Sequence, residues 1–159
     1  MRIVIAVFSV SLFSSGFALA DDQFPPEARE AVRAEIQQVL DNYSNAMLTH
    51  NYDAMAAFWS TSEDFVMAGD GRILGGSGAW VKLMDQYYED YDKYYLWDYQ
   101  DVHILPLSEE SAVATVEFRF RWHTTKDETM SSRGSWTYVF RIENDEWKVV
   151  HSNGTHIPL

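Results

Sequence analysis

The chain has 159 residues and a formal net charge of −12, which suits one compact domain and disfavours nucleic acid and anionic membranes as partners. It has no cysteine, which excludes disulfides, thiol catalysis and cysteine-ligated metal centres. Its 15% aromatic content indicates a packed core and excludes an intrinsically disordered chain.

The first residues have the pattern of an export signal. One positive charge, Arg2, precedes an apolar run, and Ala-Leu-Ala at 18–20 fits the small-x-small cleavage pattern. The run is short for a bilayer-spanning helix, which needs about 20 apolar residues, although an uncleaved anchor is the alternative. We therefore expect a signal peptide at 1–20, a short tether at 21–26, and a periplasmic or secreted domain at 27–159 without stable membrane insertion.

The residues after the tether predict helices. Prolines 25 and 26 open the first helix, and apolar residues recur along it at helical spacing. Asn51 and Asp53 predict a stop and a restart, with a second helix at about 54–59. A third amphipathic helix is predicted from one apolar set: Trp80, Leu83, Met84, Tyr87, Tyr88 and Tyr91.

Strands are predicted between these helices and after them. Residues 65–68 form a short strand candidate, Gly69-Asp70-Gly71 predicts a turn, and 72–74 return beside it. From residue 94 the hydrophobic period changes to two. Four long strands with short polar connections predict an antiparallel meander, at roughly 94–105, 112–124, 132–143 and 146–155.

Alternation along the meander predicts which face of the sheet is buried. Apolar and aromatic residues occupy every second position of its second and third strands: Val116, Phe118, Phe120 and Trp122, then Trp136, Tyr138, Phe140 and Ile142. The intervening charged positions predict a face that is exposed or paired with a second subunit. The fold expected is α+β, with three N-terminal helices packed on a curved antiparallel sheet.

The order of elements, with three stretches of sequence, resembles the nuclear transport factor 2-like superfamily. The stretches are 51–59 leading into 63–67, Gly71 to Gly78 leading into the third helix, and the ending Trp147-Lys148-Val149-Val150-His151-Ser152-Asn153. The most similar members are the SnoaL-like and ketosteroid isomerase-like group of small exported domains. This resemblance implies a conical pocket and a homodimer formed through the outer sheet face. Members include isomerases, dehydratases, hydrolases and binding or assembly domains, so the fold alone does not select a function.

Two residues are candidates for chemistry in such a pocket. The resemblance places Tyr43 where ketosteroid isomerases have the tyrosine that polarises a carbonyl, although a core tyrosine is the alternative. The carboxylate base of those enzymes has no counterpart in 65–68, which disfavours steroid isomerisation. His151 shares its predicted strand face with Trp147 and Val149 and is expected to point into the pocket, as a general base, a ligand contact or a satisfied core histidine.

Aromatic residues on the concave face complete the predicted pocket. The expected ligand-binding set is Tyr43, Met47, Trp59, Phe118, Trp136, Tyr138 and His151. No two histidines have the helical spacing that zinc enzymes often use, so neither a metal nor a cofactor is predicted.

Three functions are compatible with these patterns. The favoured one is an exported SnoaL-like domain that binds a small, largely apolar or cyclic molecule in a conical aromatic pocket. The alternatives are a pocket enzyme using His151 and Tyr43 for general acid/base chemistry, of isomerase, dehydratase or hydrolase type, and a dimerisation or assembly module with a vestigial pocket. The sequence leaves open whether the protein is an enzyme.

Overall fold

A computed structural model describes residues 24–79, 81–83 and 91–159. The expected signal peptide at 1–20 lies outside the described residues, as does most of the predicted third helix, of which 79 and 81–83 are described as helical. None of the described helices is long and apolar enough to cross a membrane.

Helices α1 and α2 form one layer of the fold. Helix α1 spans Pro26–Thr49 and ends at His50, whose φ of 56° is left-handed. Its buried residues follow the predicted apolar stripe and include Ile36, Leu40 and Tyr43. Helix α2 spans Tyr52–Ala57 and is capped by Asn51, whose side chain accepts a hydrogen bond from the Ala54 N–H.

The strands of the described residues form one curved sheet in the order β2-β1-β6-β5-β4-β3. Their bounds are β1 Val66–Gly69, β2 Arg72–Gly75, β3 Tyr91–Ser108, β4 Ser111–Thr124, β5 Thr129–Glu143 and β6 Glu146–Pro158. The meander predicted from the period of two is confirmed for β3 to β6. The expectation of a purely antiparallel sheet is wrong, because β1 pairs in parallel with β6. These two strands are far apart in the chain and no short turn joins them, so the connection does not dictate their relative direction.

The core lies between α1 and the concave sheet face. Six of the eight predicted inward residues of the meander are buried, with Val116 and Phe140 fully inaccessible to solvent, whereas Trp122 and Ile142 near the strand ends are half-buried. One irregularity changes which side chains of β6 face inward. In the β5–β6 pair, Val139 lies opposite His151 whereas Phe140 lies opposite Val149, so Val150 has no partner and forms a β-bulge.

Candidate functional site

A cavity of about 300 Å³ opens between α1 and the concave face of the sheet. Its wall is mainly aromatic: Tyr43, Trp59, Tyr94, Trp97, Phe118, Phe120, Trp122, Trp136 and Tyr138 line it. The volume is at the small end of the range of about 300–1,000 Å³ that is typical of ligand pockets. The cavity therefore suits a compact ligand with one or two rings.

Six of the seven predicted ligand-binding residues line this cavity: Tyr43, Met47, Trp59, Phe118, Trp136 and Tyr138. His151 does not line it, and its side chain is exposed. The prediction that His151 points into the pocket and pairs there with Tyr43 is therefore wrong.

The β-bulge at Val150 explains the position of His151. A bulge adds one residue to a strand and so inverts the alternation of its side chains beyond that point. After Val149, which is fully buried, the next buried residue is Ser152. Ser152 thus takes the inward position expected of His151, and every second residue from there on, including His156, faces the cavity side.

His156 brings to the cavity wall the imidazole that sequence reasoning assigned to His151. Its Nδ1 lies 2.7 Å from Oδ2 of Asp70, and its backbone N–H donates to Asp70 Oδ1 at 2.8 Å. Both side chains line the cavity and are about one-third exposed. With Arg72, which also lines the cavity, they form a group that we call the polar rim (Asp70, Arg72 and His156).

The β1–β2 turn holds Asp70 in place. Asp70 and Gly71 have φ angles of 49° and 78° and are the two central residues of the hairpin, because Gly69 pairs directly with Arg72. Two consecutive positive φ values define the type I′ turn that Asp-Gly favours. The predicted turn is confirmed, and it also presents the Asp70 carboxylate to β6, since β1 pairs with β6 up to Gly154.

The Asp70–His156 geometry fixes the state of the imidazole. A carboxylate only accepts hydrogen bonds, so Nδ1 of His156 carries a proton and Nε2 keeps a basic lone pair in the neutral ring. Partial burial disfavours the charged carboxylate, but hydrogen bonds from the His156 N–H and ring, with charges on His156 and Arg72, outweigh it and lower the pKa of Asp70. Asp70 is therefore ionised at neutral pH.

Glycines, which have no side chain, leave room for the aromatic and imidazole rings of the site. His156 lies opposite Gly134, which lies opposite Phe118, and the centroids of the Phe118 and His156 rings are 5.1 Å apart. A Cβ on Gly154 would come within 2.2 Å of the Trp136 ring, and one on Gly69 within 2.7 Å. The Trp136 indole thus fills the space above these two glycines and contacts His156 at a centroid distance of 5.0 Å.

Behind the cavity lies a cluster of buried rings that we call the aromatic floor (Tyr43, Phe58, Trp59, Tyr138 and Phe140). Tyr43 stacks on Phe58 at 4.0 Å, and Phe58 meets Tyr138 and Phe140 edge to face. The Tyr138 hydroxyl is hydrogen-bonded to that of Tyr99 at 2.9 Å. Burial raises the pKa of the Tyr138 phenol, and the neighbouring phenols of Tyr99 and Tyr43 raise it further, so it remains a proton donor.

The cavity chemistry is therefore that of an imidazole base facing aromatic rings and phenols. Within residues 24–79, 81–83 and 91–159, no three His, Asp or Glu side chains converge in a way that could hold a metal ion. Sequence reasoning missed Asp70 and His156 as site residues. The Asp-Gly turn was visible, but nothing in the sequence shows that its carboxylate meets a histidine 86 residues later.

Comparison with known proteins gives a family match and a set of structural relatives. The model of the SnoaL-like domain matches residues 36–158. No curated protein matches the chain.

Three solved structures illustrate the structural similarity. A hexachlorocyclohexane dehydrochlorinase from Novosphingobium barchaimii has a TM-score of 0.67 and 14% identity, over 85% of this chain and 94% of that chain. A scytalone dehydratase-like protein from Novosphingobium aromaticivorans has a TM-score of 0.72 and 14% identity, over 82% and 87%. A dehydratase-like protein from Streptomyces avermitilis has a TM-score of 0.69 and 15% identity, over 81% and 98%. At these identities the similarity establishes a common fold.

Proposed function

Because the chain belongs to the SnoaL-like domain family of the nuclear transport factor 2-like superfamily, we propose that its cavity binds a compact, largely apolar cyclic molecule. We propose further that His156, held by Asp70, removes a proton from this molecule. The observation that carries the proposal is the imidazole–carboxylate pair in the wall of an aromatic cavity. It retains the ligand class expected from the sequence and replaces His151 by His156 as the base.

The polar rim has what a general base needs. Nε2 of His156 is the basic nitrogen, and the Asp70 carboxylate stabilises the imidazolium that forms when Nε2 accepts a proton. The surrounding rings of Phe118 and Trp136 keep the imidazole in one orientation. Proton abstraction by a positioned side chain contributes about 10²–10⁴-fold to a rate.

Elimination is the reaction class that best fits this base. The structural relatives described above are a dehydrochlorinase and two dehydratase-like proteins, and both names denote eliminations. In such a step the C–H electrons form a carbon–carbon double bond, His156 takes the proton, and the leaving group departs from the adjacent carbon with its electron pair. A departing hydroxide also needs a proton, which the imidazolium formed on His156 can return, while the phenols of Tyr43 and Tyr138 in the same cavity can donate hydrogen bonds to the leaving oxygen.

The proposal is tested with 3-hydroxycyclohexanone, whose loss of water gives the strongly absorbing cyclohexenone. Proton exchange at its carbon next to the carbonyl is followed in parallel by NMR in deuterated water. We expect His156→Gln to reduce both rates by about 10²–10⁴-fold. His151→Gln is the matched control, because that histidine is exposed and outside the cavity. If His151→Gln reduced the rates as much as His156→Gln, or if neither rate depended on His156, the proposed base would be wrong.

We also propose, from the pattern of residues 1–20, that the protein is exported. Expression of the full chain in a Gram-negative host, followed by intact-mass measurement of the periplasmic fraction, should give a product that begins at Asp21. A cytoplasmic product that retains Met1 would contradict export.

We propose a homodimer formed through the outer sheet face. On this face Arg119 on β4 lies between Asp98 on β3 and Arg133 on β5, and its pairing with Arg133 is a like-charge contact that a second copy could relieve. Glu117 is exposed on the same face and could meet these arginines from a second copy. Arg119→Glu should shift sedimentation from dimer towards monomer, whereas an unchanged sedimentation coefficient would place this face in solvent.

A further inference from the structure

Arg72 is the least explained member of the polar rim. It directly follows the Asp70-Gly71 turn, lies opposite Gly69 on the edge strand β2, and lines the cavity with its exposed side chain. Gly69 carries no side chain, and the Trp136 ring occupies the space above it. The guanidinium therefore lies at the boundary between the aromatic wall and solvent.

The charged residues of the cavity wall differ in whether their side chains already form hydrogen bonds. Of the described lining residues, Asp70 and Arg72 are those with a full charge. Both oxygens of Asp70 accept hydrogen bonds from His156. Arg72 influences Asp70 only through the electrostatic field that helps to lower its pKa, and no hydrogen bond or ion pair joins its guanidinium to another described residue. Its donors are thus available to a bound molecule.

We propose that Arg72 binds a carboxylate of the ligand, so that the molecule taken by the cavity is a compact cyclic acid. The inference rests on the proposed function of the cavity and specifies its substrate class. A guanidinium presents a planar fork of donors that matches a carboxylate with two parallel hydrogen bonds. The ring enters the aromatic cavity, whose volume of about 300 Å³ holds little more than one or two rings, while the acid group stays at the rim.

The negative net charge of the protein should restrict the binding of an acid to the neighbourhood of Arg72. With a net charge of −12, most of the surface repels an anion. Arg72 carries the full positive charge among the described lining residues and so favours entry of an acid there over adsorption elsewhere. The attraction at this exposed position is screened by salt, with a Debye length of about 8 Å at physiological ionic strength.

The test uses two probes that differ only in the proposed contact, 4-ethylbenzoate and 4-ethylbenzyl alcohol. Binding is measured by isothermal titration calorimetry and by quenching of tryptophan fluorescence, because Trp97 and Trp136 line the cavity. We expect the wild-type protein to bind the acid about tenfold more tightly than the alcohol, since a hydrogen bond to a charged group contributes about that factor. The preference should decrease as salt is added.

Variants separate the role of Arg72 from a general effect of charge. Arg72→Gln should weaken the binding of the acid by about five- to tenfold and leave that of the alcohol unchanged, whereas Arg72→Lys should keep part of the preference. Arg121→Gln is the control, since it removes the same charge from an exposed position outside the cavity. Thermal unfolding of each variant verifies the fold, and Arg72→Lys together with the salt series carries the test if Arg72→Gln is unstable.

The results distinguish failure of the carboxylate site at Arg72 from failure of the cavity as a binding site. Equal affinity of the wild-type protein for acid and alcohol, or equal weakening of both by Arg72→Gln, would overturn the carboxylate site while leaving a cavity that binds rings. Binding of neither probe would count against the cavity as a site for compact cyclic molecules, and the acid specificity would fall with it.

Discussion

The aromatic floor and the polar rim differ in how they are built. Residues of the floor are at most 6% exposed and contact one another through rings contributed by α1, β5 and the segment after α2. The rim consists of a turn residue, the first residue of an edge strand and a residue near the end of β6, with Asp70 and His156 about one-third exposed. We therefore expect the floor to give stability and shape, whereas the proposed chemistry and selection lie at the rim.

This difference implies that the two regions should respond differently to substitution. A residue of the floor loses many buried contacts when it is truncated, so its effect appears in the free energy of unfolding. A residue of the rim is partly solvated, so its replacement should change binding or rate much more than stability.

The largest expected effect on stability is at Phe140, which is fully buried in the floor. Phe140→Ala should lower the free energy of unfolding by about 3–5 kcal/mol, because it removes buried apolar surface and leaves a cavity. Urea unfolding followed by circular dichroism measures the change. Leu107→Ala on the exposed end of β3 is the control and should cost less than about 1 kcal/mol. Similar losses for both variants would mean that the floor is not the centre of the core.

Three of the five residues of the floor could be predicted from simple sequence periods, whereas Phe58 and Trp59 belong to no periodic set. Tyr43 belongs to an apolar stripe with the period of a helix, and Tyr138 and Phe140 to an alternation with the period of a strand. Both patterns report burial on one face, and each predicted member of the floor is buried. Apart from Met47, the correctly predicted cavity residues are all aromatic, and most of them were found through the same periods.

The rim could not be predicted in this way, since it depends on the bulge at Val150 and on a parallel pairing between β1 and β6. The amide and carbonyl of Val149 bond to Phe58 and Ser60 on the other side of β6. The residues that form these hydrogen bonds with Val149 lie far earlier in the chain, so the local sequence of β6 does not indicate them. Strict alternation through residue 151 therefore predicted His151 at the cavity wall, where the structure has His156.

A medium effect is expected where the two regions meet, at the glycines beneath Trp136. Gly154→Ala would place a Cβ within 2.2 Å of the Trp136 ring and within 2.6 Å of the Ser135 carbonyl oxygen, so the indole or the strand must shift. We expect a loss of about 1–3 kcal/mol, as for other overpacking substitutions, and a change in tryptophan fluorescence.

Gly75→Ala is the matched control for Gly154→Ala. A Cβ on Gly75 would meet its nearest neighbour, the Phe65 carbonyl oxygen, only at 3.4 Å. This second glycine of the same sheet should therefore tolerate alanine with a much smaller loss. If both variants were equally stable, the contact between Trp136 and the glycines would be looser than the structure shows.

The smallest expected effect on stability is at Asp70, and it should depend on pH. The pKa of Asp70 is lowered in the folded protein, so its ionised form stabilises the fold above the unfolded pKa of about 3.9, and this contribution is lost as the pH falls through the lower folded value. Asp70→Asn should therefore cost about 1 kcal/mol at pH 7, the size of one hydrogen bond, and the difference from wild type should shrink below about pH 4.

The same substitution should reduce a His156-dependent rate by far more, because an amide can donate to Nδ1 and so favours the tautomer whose Nε2 is protonated. Urea unfolding across the pH range and the rate at pH 7 give the two quantities, with the exposed Asp64→Asn as the control. A large loss of stability with an unchanged rate would make Asp70 a structural clamp between the turn and β6, and would assign the rim to folding and not to chemistry.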